Sequence, residues 1–414
     1  MTKTKLNNNE KANETQLMEH IRNFSFPRLS GTDGEKKAIN LTIQTFKNLG
    51  YKDQQINIQK FEFSTFYSEY LIKIIGIMNI IIVLTLLFIK YLYPFLVILT
   101  IIIISIIFLS MIRILTHPEL KGFWEKYIGK FISSSNVYIK LNSNNNANKS
   151  KGNILISAHL DSKSQTFKTI WRVIFFSIWE FGIIIFVFLI TSFLIDLYFN
   201  LFKTILIYLE ISLIITSAII VISILMILLI KTENESPGAI DNATGMSLVF
   251  ELSSYFKMKP LNNFNIWFCQ FSAEEIGTMG SRVFIDKYVD DFKQKELYQI
   301  NFDMVSCKNH KKKVEFIKSY GIIRRKKTSD LLVSFIKDIG KENEIQIEGH
   351  TLLSGAHTDS VPFQLNDFTS INFATPSAAE YSHSREDTID KVEPKVLYNT
   401  LILVINLICK LDQT

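Results

Sequence analysis

Cysteine is scarce in this chain. Cys269, Cys307 and Cys409 are the three in 414 residues, and no two share a Cys-x-x-Cys spacing. That excludes a disulfide framework and a thiolate zinc site, leaving the three as packing residues. Charge is also scarce: 20% of residues are charged against 48% hydrophobic, a balance too apolar for an ordinary soluble chain of this length. The polar start "MTKTKLNNNEKANETQ" lacks the short apolar core and small-residue cleavage site of a secretory signal, so none is expected. The basic runs, "HKKK" (His310 to Lys313) and "RRKK" (Arg324 to Lys327), come without a basic-aromatic motif. They read as solvated faces or patches near anionic lipid, and no nucleic-acid partner is expected.

Long apolar runs are abundant. Residues 71–115 hold enough for two helices of about 20 residues, broken at "KYLYP", and residues 170–231 hold a second pair that turns near "DLYFNLFK". The expectation is a multi-pass protein with four helices in a lipid bilayer, arranged as two transmembrane hairpins. Glu180 and Glu210 fall inside the second hairpin. Each is about 8 to 10 Å from a span end at 1.5 Å per residue, within reach of the interface by snorkelling.

The remaining segments, 1–70, 116–169 and 232–414, alternate strand-like and helix-like patterns, as one α/β domain cut twice by insertions would. Each insertion has an even number of spans, so the three pieces return to one side and can build one domain there. Lys73, Arg113, Lys121, Lys163, Lys168, Arg172 and Lys231 flank the spans on that side, against Lys90 and Lys203 in the opposite turns. The positive-inside rule therefore favours a cytoplasmic domain.

Four strand candidates in it end in groups able to bind metal. "NILISAHLDS" ends in His159 and Asp161, "NIWFCQFSAEE" in Glu274 and Glu275, "LYQINFDMVS" near Asp303, and "SINFATPSAAEYSHS" leads to His383. Asp241, in "PGAIDNATGMSLVFELSSYF", precedes a helical pattern. In an open α/β sheet, ligands collect beyond the carboxyl ends of the strands, so residues distant in sequence converge there. Two histidines with several carboxylates suit zinc, with cobalt or manganese as substitutes. Taken singly each motif is a weak signal; their joint order is much less easily accidental.

In that order the chain resembles the M28 family of metallopeptidases, through "AHLDS", "GAIDNATG", "SAEEIGTMGS", "NFDMVS" and "YSHSREDTID", with "FPRLSGTDGEKKAINLTIQTFKNLGY" similar to the start of such a domain. The resemblance implies a mixed, mostly parallel central sheet flanked by helices, of zinc-exopeptidase type, interrupted by the two hairpins. It also implies two zinc ions sharing Asp241, one completed by His159 and Asp303 and the other by Glu275 and His383. Asp161 would accept the second imidazole N–H of His159. Adjacent residues at a strand end point in different directions, so Glu275 can hold metal while Glu274 acts as the general base.

Two segments depart from the family pattern. "HTDSVPF" keeps Asp359 but has Ser360 where many members have His, and Ser382 stands where some relatives place an oxyanion-stabilising Tyr, with Tyr381 one residue earlier. Asp359 and Tyr381 are thus candidate substrate or oxyanion contacts. The expected activity is that of an aminopeptidase acting on peptides. The alternatives are glutaminyl-cyclase-like acyl transfer and a catalytically inactive M28-like binding protein. A transporter is disfavoured, since four helices without repeats or broken-helix signals do not build one.

Overall fold

The computed structural model describes residues 3–90, 95–103, 106, 128–145, 150–199, 205–308, 312–320, 326–352 and 358–414. The chain divides into two units, one of residues 1–63, 131–169 and 232–414, the other of residues 64–130 and 170–231.

The first unit is an α/β domain. Its strands are β1 (Ile56–Ser64), β2 (Phe131–Leu141), β3 (Gly152–His159), β4 (Ser164–Gln165), β5 (Thr232–Glu233), β6 (Phe264–Phe271), β7 (Glu296–Phe302), β8 (Val314–Tyr320), β9 (Lys326–Lys327), β10 (Ile347–Leu352) and β11 (Thr369–Phe373). The main sheet runs β1-β2-β6-β3-β7-β11-β8-β10, with β9 on β8, while β4 and β5 form a separate pair. β6, β3, β7 and β11 are mutually parallel. β2 is antiparallel to β6, β8 is antiparallel to β11, and β10 is parallel to β8.

β3 and β6 are buried along their whole length, as parallel strands covered on both faces must be, and so they read as continuous apolar runs rather than alternating ones. One large core packs Ile154, Ile156, Phe268 and Phe302 against helical residues such as Leu17, Met246, Phe250 and Leu403. A second, aromatic core, with Tyr138, Trp267, Phe284 and Phe292, contains Leu155 and Cys269 of the same strands. Alternate strand residues thus enter different cores, the period-two rule in use. Cys269 and Cys307 are buried, in keeping with a packing role.

Among the described residues four helices are long and apolar enough to cross a membrane: Phe66–Phe88, Thr169–Leu197, Leu206–Leu228 and Pro394–Gln413. The last belongs to the first unit, where Leu397, Leu403, Val404 and Leu407 are wholly buried in the large core, so its apolar face is accounted for by packing. The other three lie in the second unit, packed through Phe186, Ile190, Phe193, Leu213, Ile220 and Ile224. The return half of the first hairpin lies largely outside the described residues, although 95–103 are helical. The second unit begins at Ser64, ahead of residue 71, because Phe66, Tyr67 and Leu71 already pack into its apolar cluster.

Glu210 pairs with a residue of the turn that joins the first hairpin. Its carboxylate lies 3.7 Å from the ammonium of Lys90, which is buried and stacks 4.8 Å from the Phe193 ring. A buried ammonium needs a counter-charge, and Glu210 supplies it. Glu180 is exposed on its helix.

Candidate metal centre

Strand register brings the ligand candidates to one level. His159 is paired with Phe271, and Ala158 with Phe302. Phe302 is in turn level with Phe373, whose carbonyl accepts the Asp303 N–H at 3.0 Å. His159, Asp303 and the Glu274–Glu275 pair therefore leave neighbouring strands at the same edge. Ala273, in the left-handed region at φ 57°, turns the chain out of β6 just before Glu274, and His383 is itself left-handed at φ 58°.

Asp241 arrives on the loop ahead of the Thr244–Met258 helix, and three sets of hydrogen bonds fix that loop. The Asp387 carboxylate accepts the backbone N–H groups of Ile240 at 2.6 Å and Asp241 at 3.1 Å. Asn242 donates its amide N–H to the Phe302 carbonyl at 2.8 Å, while its side-chain oxygen accepts the N–H of Gly245 at 3.1 Å and of Met304 at 3.3 Å. This stapling ties the Asp241 loop to the strand end that carries Asp303.

Arg28, wholly buried, donates to the carbonyls of Phe24, Phe26, Leu160, Pro237 and Gly238. It binds the loop after β3 to the loop before Asp241. Gly238 has φ 64°, and a Cβ there would lie 2.6 Å from Arg28 Nη1 and 2.8 Å from the Asp241 carbonyl, so both dihedral and space call for glycine.

The central geometry is that of Asp241. Its Oδ1 lies 3.2 Å from His159 Nε2, and its Oδ2 lies 3.2 Å from His383 Nε2. Asp303 Oδ1 is 3.5 Å from His159 Nε2, and Glu275 Oε2 is 3.0 Å from His383 Nε2. Two groups of potential ligands result, His159–Asp241–Asp303 and Asp241–Glu275–His383, each with its ligand atoms within 4.8 Å of one another. Glu274 Oε2 stands 4.0 Å from His159 Nε2. Buried His159 Nε2 and Glu275 Oε1 have no hydrogen-bond partner, a deficit that a metal ion would meet. The donor set, imidazole nitrogens with carboxylate oxygens, fits zinc.

Electrostatics follow from crowding these groups in a buried site. Burial works against a charged His159, yet Glu274 and the carboxylates of Asp161, Asp241 and Asp303 hold its pKa well above that of a free imidazole. Burial likewise opposes ionisation of Asp241 and Glu275. The two histidines nevertheless draw Asp241 down, and His383 with Lys163 draws Glu275 down to about 2. Glu274 goes the other way: burial, helped by Glu275, Asp303 and Asp359 and opposed by His159, raises its pKa well above an ordinary glutamate's. Asp387 is pushed up to about 8, by burial and by the charge of Asp241.

Three sequence-based roles come out differently. The His159 Nδ1–H points to the backbone carbonyl of Asp161 at 3.1 Å, with the carboxylate oxygen at 3.7 Å. That carboxylate instead accepts the N–H groups of Glu274 at 3.1 Å and Glu275 at 3.2 Å, and the hydroxyl of Ser30 at 3.0 Å. Those three donors orient the carboxylate toward the Glu274–Glu275 turn, while the nearer acceptor for the imidazole is the carbonyl. Tyr381 has the Lys391 ammonium 5.6 Å from its ring centroid and packs against the large core, and neither contact is to a ligand candidate. Lys163, counted among the charges flanking the spans, sits 3.0 Å from Glu275 Oε2 and 2.9 Å from its carbonyl. Asp359 is buried, and burial pushes it up to about 7 although the Ser281 hydroxyl beside it works the other way.

Arg28, Glu35, Lys163 and Asp387 were not singled out by sequence reasoning as groups of the site. Glu35 accepts the hydroxyls of Ser134 and Ser272 and the N–H of Gly31, bracing the strand end just before Glu274. Arg28 and Glu35 lie inside "FPRLSGTDGEKKAINLTIQTFKNLGY" and Asp387 inside "SREDTID" close behind His383, but nothing local in either stretch marks what these side chains touch.

Histidine and carboxylate groups gathered at the carboxyl ends of parallel strands stand where ligands bind in an open α/β sheet. The model of Peptidase family M28 matches residues 226–408, and the chain is M28-like. The match takes in Asp241, Glu274, Glu275, Asp303 and His383, while His159 and Asp161 lie ahead of it, beyond the apolar helices of residues 169–228. Aminopeptidase YwaD of Bacillus subtilis (strain 168) is 28% identical over 173 residues, 39% of this chain and 35% of that protein. The match thus spans about a third of the curated relative's length. BSAP, a zinc aminopeptidase from Bacillus subtilis, superposes with a TM-score of 0.53 at 14% identity, over 96% of this chain and 95% of that one. The Acidobacteriales bacterium glutaminyl cyclase does so with 0.54 at 13%, over 97% and 95%. These solved structures share the fold.

Proposed function

We propose that the chain is a membrane-bound, zinc-dependent exopeptidase, an aminopeptidase hydrolysing N-terminal peptide bonds, whose catalytic unit lies on the cytoplasmic side. The observation that carries the reading is Asp241, with one carboxylate oxygen 3.2 Å from each of two histidines that belong to different ligand groups. Such an arrangement suits two metal ions sharing a carboxylate, with cobalt or manganese as substitutes for zinc. The names of the relatives, an aminopeptidase and a zinc aminopeptidase, support the same assignment.

In this reading His159, Asp241 and Asp303 hold one ion, and Asp241, Glu275 and His383 the other. When bound, the zinc pair supplies Lewis acidity to the scissile carbonyl and to the attacking water. Glu274 takes the proton of that water and returns it to the departing amine. Before any metal binds, burial raises its pKa above an ordinary glutamate's, and its carboxylate stands 4.0 Å from His159 Nε2, next to the ligand groups without belonging to either. Asp161 positions Glu274 and Glu275 through their backbone N–H groups. Asp359 offers a buried carboxylate to a cationic substrate group such as the N-terminal ammonium.

Turnover of a peptide panel tests the activity. Peptides with a free N-terminus should lose their first residue, N-acetylated ones should be inert, and a chelator should abolish the reaction. Pyroglutamate formation from N-terminal Gln without hydrolysis would replace the reading with acyl transfer. No turnover by metal-loaded protein would replace it with a binding protein.

A further inference from the structure

We infer that Glu315, Glu348 and His350 form a further metal site, for one divalent ion of the zinc class, separate from the strand-end cluster. The three offer ligand atoms within 4.8 Å of one another and share no residue with the other two groups. The placement follows from the strands. β8 and β10 are parallel, with Glu315 level with Glu348 and Ile317 level with His350. Residues two apart share a face, so Glu348 and His350 of β10 stand on the same side of the sheet as Glu315 of β8. β10 is the end of the sheet path, and β11 lies between β8 and β7, the strand leading to Asp303. Two strand spacings of about 4.8 Å separate the cluster from that end of the catalytic group, roughly 10 Å.

The chemistry points to a cation rather than to an ion pair alone. Glu315 is 4% exposed, and its Oε1 lies 2.8 Å from His350 Nε2. Its Oε2 is buried with no hydrogen-bond partner. A buried carboxylate oxygen without a donor is a costly arrangement, and a coordinated ion relieves it. One imidazole nitrogen with two carboxylates is a zinc-type donor set that keeps a position open to water. Lys313 Nζ sits 3.0 Å from Glu348 Oε2, and its partly exposed side chain can withdraw into solvent when an ion takes that place. The bound ion would fasten the last strand of the path, β10, to β8.

Zinc content of the detergent-solubilised full chain, measured by equilibrium dialysis and mass spectrometry, tests the site. His350→Gln and Glu348→Gln, both at partly exposed positions, should each bind one equivalent fewer than the native chain and keep peptide turnover. Glu315→Gln should do the same where it folds. Lys313→Ala should bind zinc several-fold more tightly at this site, since it removes the competing ammonium. Equal zinc content in the native, His350→Gln and Glu348→Gln chains would overturn the inference, and so would a Lys313→Ala chain with unchanged zinc affinity. The reading is a difference of one equivalent, so it stands apart from the occupancy of the Asp241 cluster.

Discussion

Asp161 Oδ1 accepts the backbone N–H of Glu274 at 3.1 Å, and the other oxygen of that carboxylate takes the next N–H, that of Glu275. One side chain from the end of β3 therefore sets the direction in which the two adjacent glutamates leave β6. Asp161→Ala frees that turn. It should cut activity about 10- to 100-fold, the usual cost of losing an outer-sphere partner, with metal affinity falling in the same range. Asp161→Asn, which can still accept one N–H, should retain more of both in parallel kinetic and metal-binding assays.

Glu274 and Glu275 separate by their readouts. Glu274→Gln should preserve metal content and lower turnover by about 10²- to 10⁴-fold, the range for removing a general base. Glu275→Ala should lose metal as well as activity, since it belongs to the Asp241–Glu275–His383 group. Equal metal loss in both variants would refute the division of labour.

Metal uptake should release protons. Neighbouring carboxylates hold the His159 pKa well above that of a free imidazole, although burial opposes it, so below that raised pKa the ring carries a proton that a metal must displace. Asp241, held low by the two histidines, stays ionised across the working range and adds no pH dependence. Affinity for zinc should therefore climb with pH until the raised pKa is passed. Calorimetry in buffers of different ionisation enthalpy should show proton release that shrinks at high pH, whereas pH-independent binding would contradict this.

Arg28 makes its contribution to the site by packing. Replacing it with Met strands the buried carbonyls of Leu160 and Gly238, among others, and should destabilise the first unit by about 3 to 5 kcal/mol. The check is a fall in the denaturation midpoint of Arg28→Met, with Arg28→Lys in between.

The ligand candidates were legible because strand ends are legible. Apolar runs such as "NILISAH" and "NIWFCQF" mark buried strands, and their last residues must emerge at a sheet edge, where His159, Glu274, Glu275 and Asp303 meet. What stayed hidden are contacts made across more than a hundred positions. Asp387 under Asp241, Arg28 against Pro237 and Glu35 against Ser272 leave no local pattern, since any buried donor and acceptor satisfy one another alike. The contact of the Tyr381 ring with the Lys391 ammonium is likewise one that no sequence pattern marks.

Sidedness can be read chemically in intact cells. With the first unit cytoplasmic, an Asn200→Cys chain should react with a membrane-impermeant maleimide, while a cysteine introduced at Lys326 should be protected; the inverse pattern would reverse the orientation.

Whether Asp241 serves two ions at once is tested directly by metal counting on single variants. Asp241→Ala should contain two equivalents of zinc fewer than the native chain, while His159→Ala should lose one, because Asp241 alone belongs to both groups of the cluster. An Asp241→Ala chain that is folded and lacks only one equivalent, or none, would contradict a shared carboxylate.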